Sequence, residues 1–222
     1  MPLSASAVKA RLSTNEIDER LVIEPFLGGL RSEKAEAASV DFHLGTRFVF
    51  LRRGRFVLHD PLAQQAHAEA YGNEVFIPLG SKLLLHPGQL VLGTTLEWYR
   101  FPPDLMAYVV GRSIWGRRGL LVVTASAVQP QTSGTVTLEL ANIGDVAVVI
   151  RPGMAAGQFF FHEVQPPTRV GKRPPFSVTH RPIFGEYTCS AVEEVLLGGQ
   201  CGGQSPDDNE SLDGLPTQEV VR

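Results

Sequence analysis

The sequence predicts a mostly β fold, in a chain of 222 residues, long enough to bury one ordinary core. Three observations carry the prediction. Val40, Phe42 and Leu44 alternate with Asp41, His43 and Gly45, the period of two that marks a strand with one buried face. Short apolar runs then recur at 74–78, 81–86, 89–95, 106–110, 120–124, 135–141, 146–150 and 156–162. Between them stand turn formers: Pro78-Leu79-Gly80, Pro87-Gly88, Pro102-Pro103, Ser133-Gly134, Gly144-Asp145 and Pro152-Gly153. Close spacing of this kind favours a sandwich or barrel over a βαβ sheet.

The other segments follow in chain order. Residues 3–12 read as a short helix capped by Ser4 or Ser6, with Val8 and Leu12 four apart on one face. Leu21-Val22-Ile23 is a short β run ended by Pro25, and Gly28-Gly29 is a turn. Phe48-Val49-Phe50 and Phe56-Val57-Leu58 flank Arg52-Arg53-Gly54-Arg55, which reads as a hairpin turn. Residues 62–73 read equally as a loop or a short helix. Residues 165–182 carry five of the sixteen prolines and read as an extended arm. One domain is expected over 1–197, arm included. The Gly-paired, acidic and polar stretch 198–222 is expected to be a disordered tail.

Composition narrows the function classes. A net charge of −3 lacks the basic excess of a general nucleic-acid binder, so no nucleic-acid partner is expected. Positive charge gathers only at Arg52, Arg53 and Arg55 and at Arg112, Arg117 and Arg118, enough for an anion as small as a nucleotide phosphate. Cys189 and Cys201 match no common zinc spacing. The first residues lack a signal-peptide apolar run, and no stretch has the ~20 apolar residues of a membrane span. The expected location is the cytoplasm, with no membrane partner.

Four segments hold candidate chemistry. Gly111-Arg112-Ser113-Ile114-Trp115-Gly116-Arg117-Arg118-Gly119 sets arginines, a serine and glycines between two apolar strands. Such a turn suits a phosphate through free N–H groups and positive charge, although a plain solvated basic turn has the same composition. In Thr135 to Asn142, alternation puts Val136, Leu138 and Leu140 on one face and Thr135, Thr137 and Glu139 on the other. A mid-strand glutamate usually faces water; enclosed, it can serve as a general acid or base near neutral pH. Thr124-Ala125-Ser126-Ala127-Val128-Gln129-Pro130 leaves a strand for a turn, where backbone groups can meet a ligand or merely connect elements. Glu186-Tyr187-Thr188-Cys189-Ser190 puts a tyrosine on the arm, where it can close over a site or simply pack.

The six histidines are scattered without ligand spacing, and there is no HExxH and no H-x-E followed by P-C-x-x-C, which argues against a zinc-dependent deaminase. A P-loop, a strand-linked GxGxxG and a nucleophile elbow are also missing.

Taken together, the segments resemble the dCTP deaminase branch of the trimeric dUTPase superfamily. The likeness runs in one order from Leu21 to Tyr187. It covers Leu21-Val22-Ile23-Glu24-Pro25-Phe26, Ser39 to Gly45, His86-Pro87-Gly88, Leu92 to Glu97, Gly111-Arg112-Ser113 through Gly119-Leu120, Thr137 to Asn142, and Arg151 to Gln158. The resemblance implies a distorted β-barrel of the dUTPase-like type with a short N-terminal helix. It also implies a homotrimer with active sites between subunits and a nucleotide substrate accompanied by Mg2+, without zinc. The implied reaction is deamination of dCTP to dUTP and ammonia.

Under that resemblance Glu139 is the proton-transfer group. Ser113 and Arg117 orient water and phosphate, with Arg112 alongside. Ala125 offers a backbone contact to the base, Gln129 reaches the sugar, and Tyr187 closes over the ligand. Four positions depart from the family pattern: Ile114 stands where a second serine is usual, Gln129 replaces an aspartate, Glu186 replaces a lysine, and Ser190 replaces a glutamine. They leave two other readings open: a modified or less phosphorylated deoxycytidine nucleotide as substrate, and a catalytically silent nucleotide-binding trimer.

Overall fold

The computed structural model describes residues 2–27, 38–51, 72–124, 127–167, 180–182 and 190–196. The chain divides into two compact units, residues 1–52 with 72–183 and residues 53–71 with 184–222.

The first unit opens on helix α1, Ala5–Ser13. Ser4 is its N-cap, its side chain accepting from the Ala7 amide at 3.2 Å. Val8 is fully covered and Leu12 packs against the same core, as their spacing requires. Among the described residues thirteen strands follow: β1 Val22–Glu24, β2 Val40–Leu51, β3 Gly72–Phe76, β4 Leu83–Leu85, β5 Leu90–Thr95, β6 Trp98–Arg100 and β7 Leu105–Gly111, then β8 Leu120–Val122, β9 Ala127–Val128, β10 Ser133–Gly134, β11 Thr137–Asn142, β12 Val148–Ile150 and β13 Ala155–Glu163. A single helical turn, α2 (Ser113–Gly116), joins β7 to β8.

The main sheet has the order β8-β11-β5-β2-β13-β7-β9, with β3 also paired to β2. Its far strands curl toward each other: a Cβ built on Gly111 of β7 would lie 3.5 Å from Cβ of Val122 in β8. β1-β6-β10 and β12-β4 form two smaller sheets. The result is the mostly β, curled half-barrel that the strand spacing predicted.

The concave side holds an aromatic core. Phe159 lies 4.9 Å, centroid to centroid, from Phe42 and 5.1 Å from Tyr99, and Phe101 stacks on Phe161 at 5.7 Å. Burial of these rings and of Leu44, Leu85, Leu105, Leu138 and Leu140 supplies the main driving force, roughly 1.5–3 kcal/mol per fully buried large side chain. Gly157 permits the closest approach, since a Cβ there would sit 2.3 Å from Phe42 and 2.6 Å from the Val110 carbonyl.

Some expectations change in detail. Ser133-Gly134, read as a turn, instead pairs with Arg100 and Tyr99 of β6. The run 81–86 contracts to Leu83–Leu85, and 135–141 shifts to Thr137–Asn142. β2 pairs with Gly72–Phe76; the expected partner 56–58 and its arginine turn lie outside the described residues. Among the described residues of the second unit, Ala191–Leu196 form helix α3. Its cap is reciprocal: the Glu193 amide donates to Ser190 Oγ at 3.2 Å and the Ser190 amide donates to Glu193 Oε2 at 2.7 Å. The expected tail and both cysteines lie outside the described residues.

Candidate active site

Strand β11 carries Glu139, and its alternation is as read from the sequence: Leu138 and Leu140 enter the core while Thr137 and Glu139 face the other way. On that second face Thr137 and Glu139 are half-buried. The cross-strand partners of Glu139 and Thr137 are Leu92 and Thr94, exposed by only 6% and 3%. Glu139 Oε2 is buried and accepts no hydrogen bond. The Glu139 amide donates to Thr124 Oγ1 at 3.1 Å, and its carbonyl accepts from the Val123 amide at 2.8 Å. The backbone is thus held while one buried carboxylate oxygen has no hydrogen-bond partner among the described residues.

The arginine-bearing turn begins where β7 ends. Ser113 opens α2, and Arg117 is its C-cap, the Arg117 amide donating to the Ser113 carbonyl at 3.0 Å. Ser113, Ile114, Arg117 and Arg118 are exposed. Arg112 reaches Asp41 on β2 at 3.3 Å. The Trp115 indole N–H donates to the Ala155 carbonyl at 2.8 Å. Gly119 ends the turn at φ +83°, a backbone that favours glycine, and a Cβ there would meet Gly144 at 2.8 Å. Buried Asn142 fixes the facing loop by donating to the Leu85 and Val146 carbonyls and accepting from the Gly144 amide.

The ladder of β8 on β11 relates the two groups. Leu120, next after the turn, pairs with Asn142, while Val123 bonds to Glu139 at the other end. Three residues of strand separate these points, about 10 Å. Among the described residues, no hydrogen bond joins Glu139 to Arg112, Ser113 or Arg117. Gln129 is exposed in the turn between β9 and β10, followed by Gln131 at φ +64°. Ala125 and Tyr187 lie outside the described residues.

A second ionisable cluster lies behind β11. Glu97 is 1% exposed and accepts from the His43 amide at 3.0 and 3.2 Å and pairs with His43 Nδ1 at 2.6 Å. Thr95 links this corner to the start of β11: its hydroxyl donates to the Glu97 carbonyl at 2.8 Å and accepts from the Val136 amide at 2.9 Å. Burial first, and then the Glu97 charge, hold the Tyr99 hydroxyl well above its ordinary pKa of 10.0. Sequence reasoning gave Trp115, Asp41 and Asn142 no individual role and Thr124 little weight. The one available signal for Thr124 was a hydroxyl at a strand end next to the segment carrying Glu139.

The curled sheet, the arginine-bearing turn and the half-buried carboxylate define a mostly β domain with a candidate site built on strand β11 and the turn after β7. The family model described as dCTP deaminase-like matches residues 3–164. The chain belongs to the dCTP deaminase-like family. It is 38% identical over 170 residues to a protein of Halorubrum lacusprofundi named dCTP deaminase, covering 76% of this chain and 80% of that one. It is also 38% identical over 168 residues to a protein of Halobacterium salinarum named dCTP deaminase, dUMP-forming, covering 75% and 83%. A crystal structure of 2'-deoxycytidine 5'-triphosphate deaminase from Agrobacterium tumefaciens superposes with a TM-score of 0.53 at 20% identity. The match covers 72% of this chain but 46% of that longer one. Among the described residues, no helix is long and apolar enough to cross a membrane.

Proposed function

We propose that this protein hydrolyses the 4-amino group of dCTP, releasing dUTP and ammonia. The observation that carries the reading is Glu139 Oε2, a buried carboxylate oxygen without a hydrogen-bond partner on a half-buried residue. In the proposed reaction a water oxygen adds to C4 of cytosine while Glu139 takes its proton. Glu139 returns a proton to ring N3, and a second water proton leaves with the amino group as the C4–N4 bond breaks. A carboxylate thus does the work that a zinc-bound hydroxide does in other base deaminases, whose ligand pattern this sequence lacks. Ser113 and Arg117 orient water and phosphate, Arg112 adds charge, Gln129 reaches the sugar, Ala125 offers backbone to the base, and Tyr187 closes over the ligand.

The product assignment rests on Gln129. An amide can bond a sugar hydroxyl but cannot accept the proton of a water attacking phosphorus, so dUTP is released rather than cut to dUMP. Mg2+ accompanies the triphosphate and neutralises part of its charge. Among the described residues no three His, Cys, Asp or Glu side chains cluster as a cage, and Asp41, the carboxylate tied to the turn, is paired with Arg112. The side chains present therefore fit an ion held by phosphate oxygens and water.

The reading includes a homotrimer with sites between subunits, and the spacing along β11 supports it. With Glu139 and its own turn about 10 Å apart along the ladder, a neighbouring copy brings its turn to this carboxylate. The exposed Tyr108, Val110 and Val123, on β7 and just after β8, offer apolar surface for such packing.

The test is a product assay. Purified protein with dCTP and Mg2+ should release ammonia, with dUTP and no dUMP on ion-exchange separation. Glu139→Gln should lower kcat by roughly 10²- to 10⁴-fold. Equal background release by both proteins overturns the reading, dUMP overturns the product, and a monomer of full activity in light scattering overturns the shared site.

A further inference from the structure

We propose that Trp115 is a positioning residue for phosphate recognition, its indole N–H tying the turn that carries Ser113 and Arg117 to the head of β13. The inference rests on reading that turn as the phosphate-facing element. α2 is a single turn of four residues, too short to hold its own geometry. Its internal bonds, such as Arg118 Nη1 to the Ile114 carbonyl at 2.8 Å, fix the shape of the turn but not its placement. The Arg112–Asp41 pair ties it outward, but both side chains are about two-fifths exposed and the contact is 3.3 Å, so it contributes little. Trp115 is the firmer tie. Its ring packs against the core, and its N–H meets the Ala155 carbonyl at 2.8 Å.

The acceptor is itself held in place. β13 shifts register against β2 between Ala155 and Gly157, and at Gly157 there is no room for even one added carbon. Gly157 also pairs with Gly111, where the turn begins. One short stretch of β13 therefore supports both the entry to the turn and its centre. Ser113 and Arg117 lie two residues either side of Trp115, so a tilt of the ring moves both donors together. Nothing in this arrangement touches the carboxylate or the base.

Trp115→Phe keeps an aromatic ring and deletes the N–H. Calorimetric titration with inorganic tripolyphosphate should show affinity falling on the order of three- to tenfold, the scale of one hydrogen bond. With dCTP, kcat/KM should fall by at least a similar factor, since Ser113 and Arg117 orient the water as well as the phosphate. The ratio of kcat/KM for dCTP over dCMP should fall, and this ratio does not depend on how much of the variant is folded. Unchanged tripolyphosphate affinity, or equal losses with dCTP and dCMP, overturns the proposal and leaves Trp115 a packing residue. Wild-type protein that binds tripolyphosphate without releasing ammonia from dCTP overturns the deaminase reading alone, and the tripolyphosphate comparison still decides Trp115. Wild-type protein that does not bind tripolyphosphate overturns the proposal outright.

Discussion

The backbone amide of Glu139 donates to the hydroxyl of Thr124 across 3.1 Å, joining the proposed proton carrier to the segment that leads toward Gln129. The bond is partly buried, and it replaces a ladder bond that β8 is too short to supply: β8 ends at Val122. Thr124→Val keeps the shape and removes the acceptor, leaving the amide unpaired at a cost of about 1 kcal/mol. The expected result is a loss of kcat on the order of tenfold with little change in KM, and recovery in Thr124→Ser, which restores an oxygen. Steady-state kinetics on the three proteins check it.

Ile114 is 47% exposed beside Ser113, where the family usually has a second serine. Ile114→Ser adds a hydroxyl that can reach a charged phosphate oxygen, the stronger kind of hydrogen bond. We expect KM for dCTP to fall about three- to tenfold, with a change in stability within about 0.5 kcal/mol because the site is on the surface. Comparison of dCTP kinetics and thermal unfolding tests both parts.

Tyr99 gives a prediction about alkaline pH. Its hydroxyl is fully buried near Glu97, and burial and that charge hold its pKa above the ordinary 10.0. Above that ordinary value the unfolded tyrosine loses its proton while the folded one keeps it. The folded state then binds more protons, so stability falls as pH rises from about 10 toward the folded pKa. Tyr99→Phe should remove this part of the slope. Denaturant unfolding between neutral pH and pH 11 measures it.

Gly157 is predicted to tolerate no side chain. Gly157→Ala would drive a methyl group to within 2.3 Å of the fully buried Phe42 ring and 2.6 Å of a backbone oxygen. Overpacking against backbone should cost about 2–3 kcal/mol. Because Ala155 lies two residues away, the variant should also weaken tripolyphosphate binding more than its lost stability accounts for. Thermal unfolding and calorimetry together check this.

Much of the fold was legible because long strands repeat their period. β2, β11 and β13 each expose enough alternating positions for the buried face to be read, and the pairing of apolar Leu138 and Leu140 against outward Glu139 came directly from it. β9 and β10 were not legible, since two residues contain no period. Ser133 and Gly134 are turn formers by composition and become strand by pairing with β6. α3 was missed although Ser190 and Glu193 have capping-box spacing, because six residues are too few for a helical period to stand out.

By itself, the sequence determined the mostly β class, the outward face of Glu139, and the arginine-bearing turn between two strands. Those follow from local periodicity and local chemistry, which act over a few residues. The tertiary structure decided the rest: that Glu139 lies beside Leu92 with one carboxylate oxygen buried, that Thr124 fixes its backbone, and that Trp115 hangs the turn on Ala155. Each of these depends on strands distant in the chain lying side by side, and pairing across such distances is set by the global packing of the sheet rather than by any short run of residues.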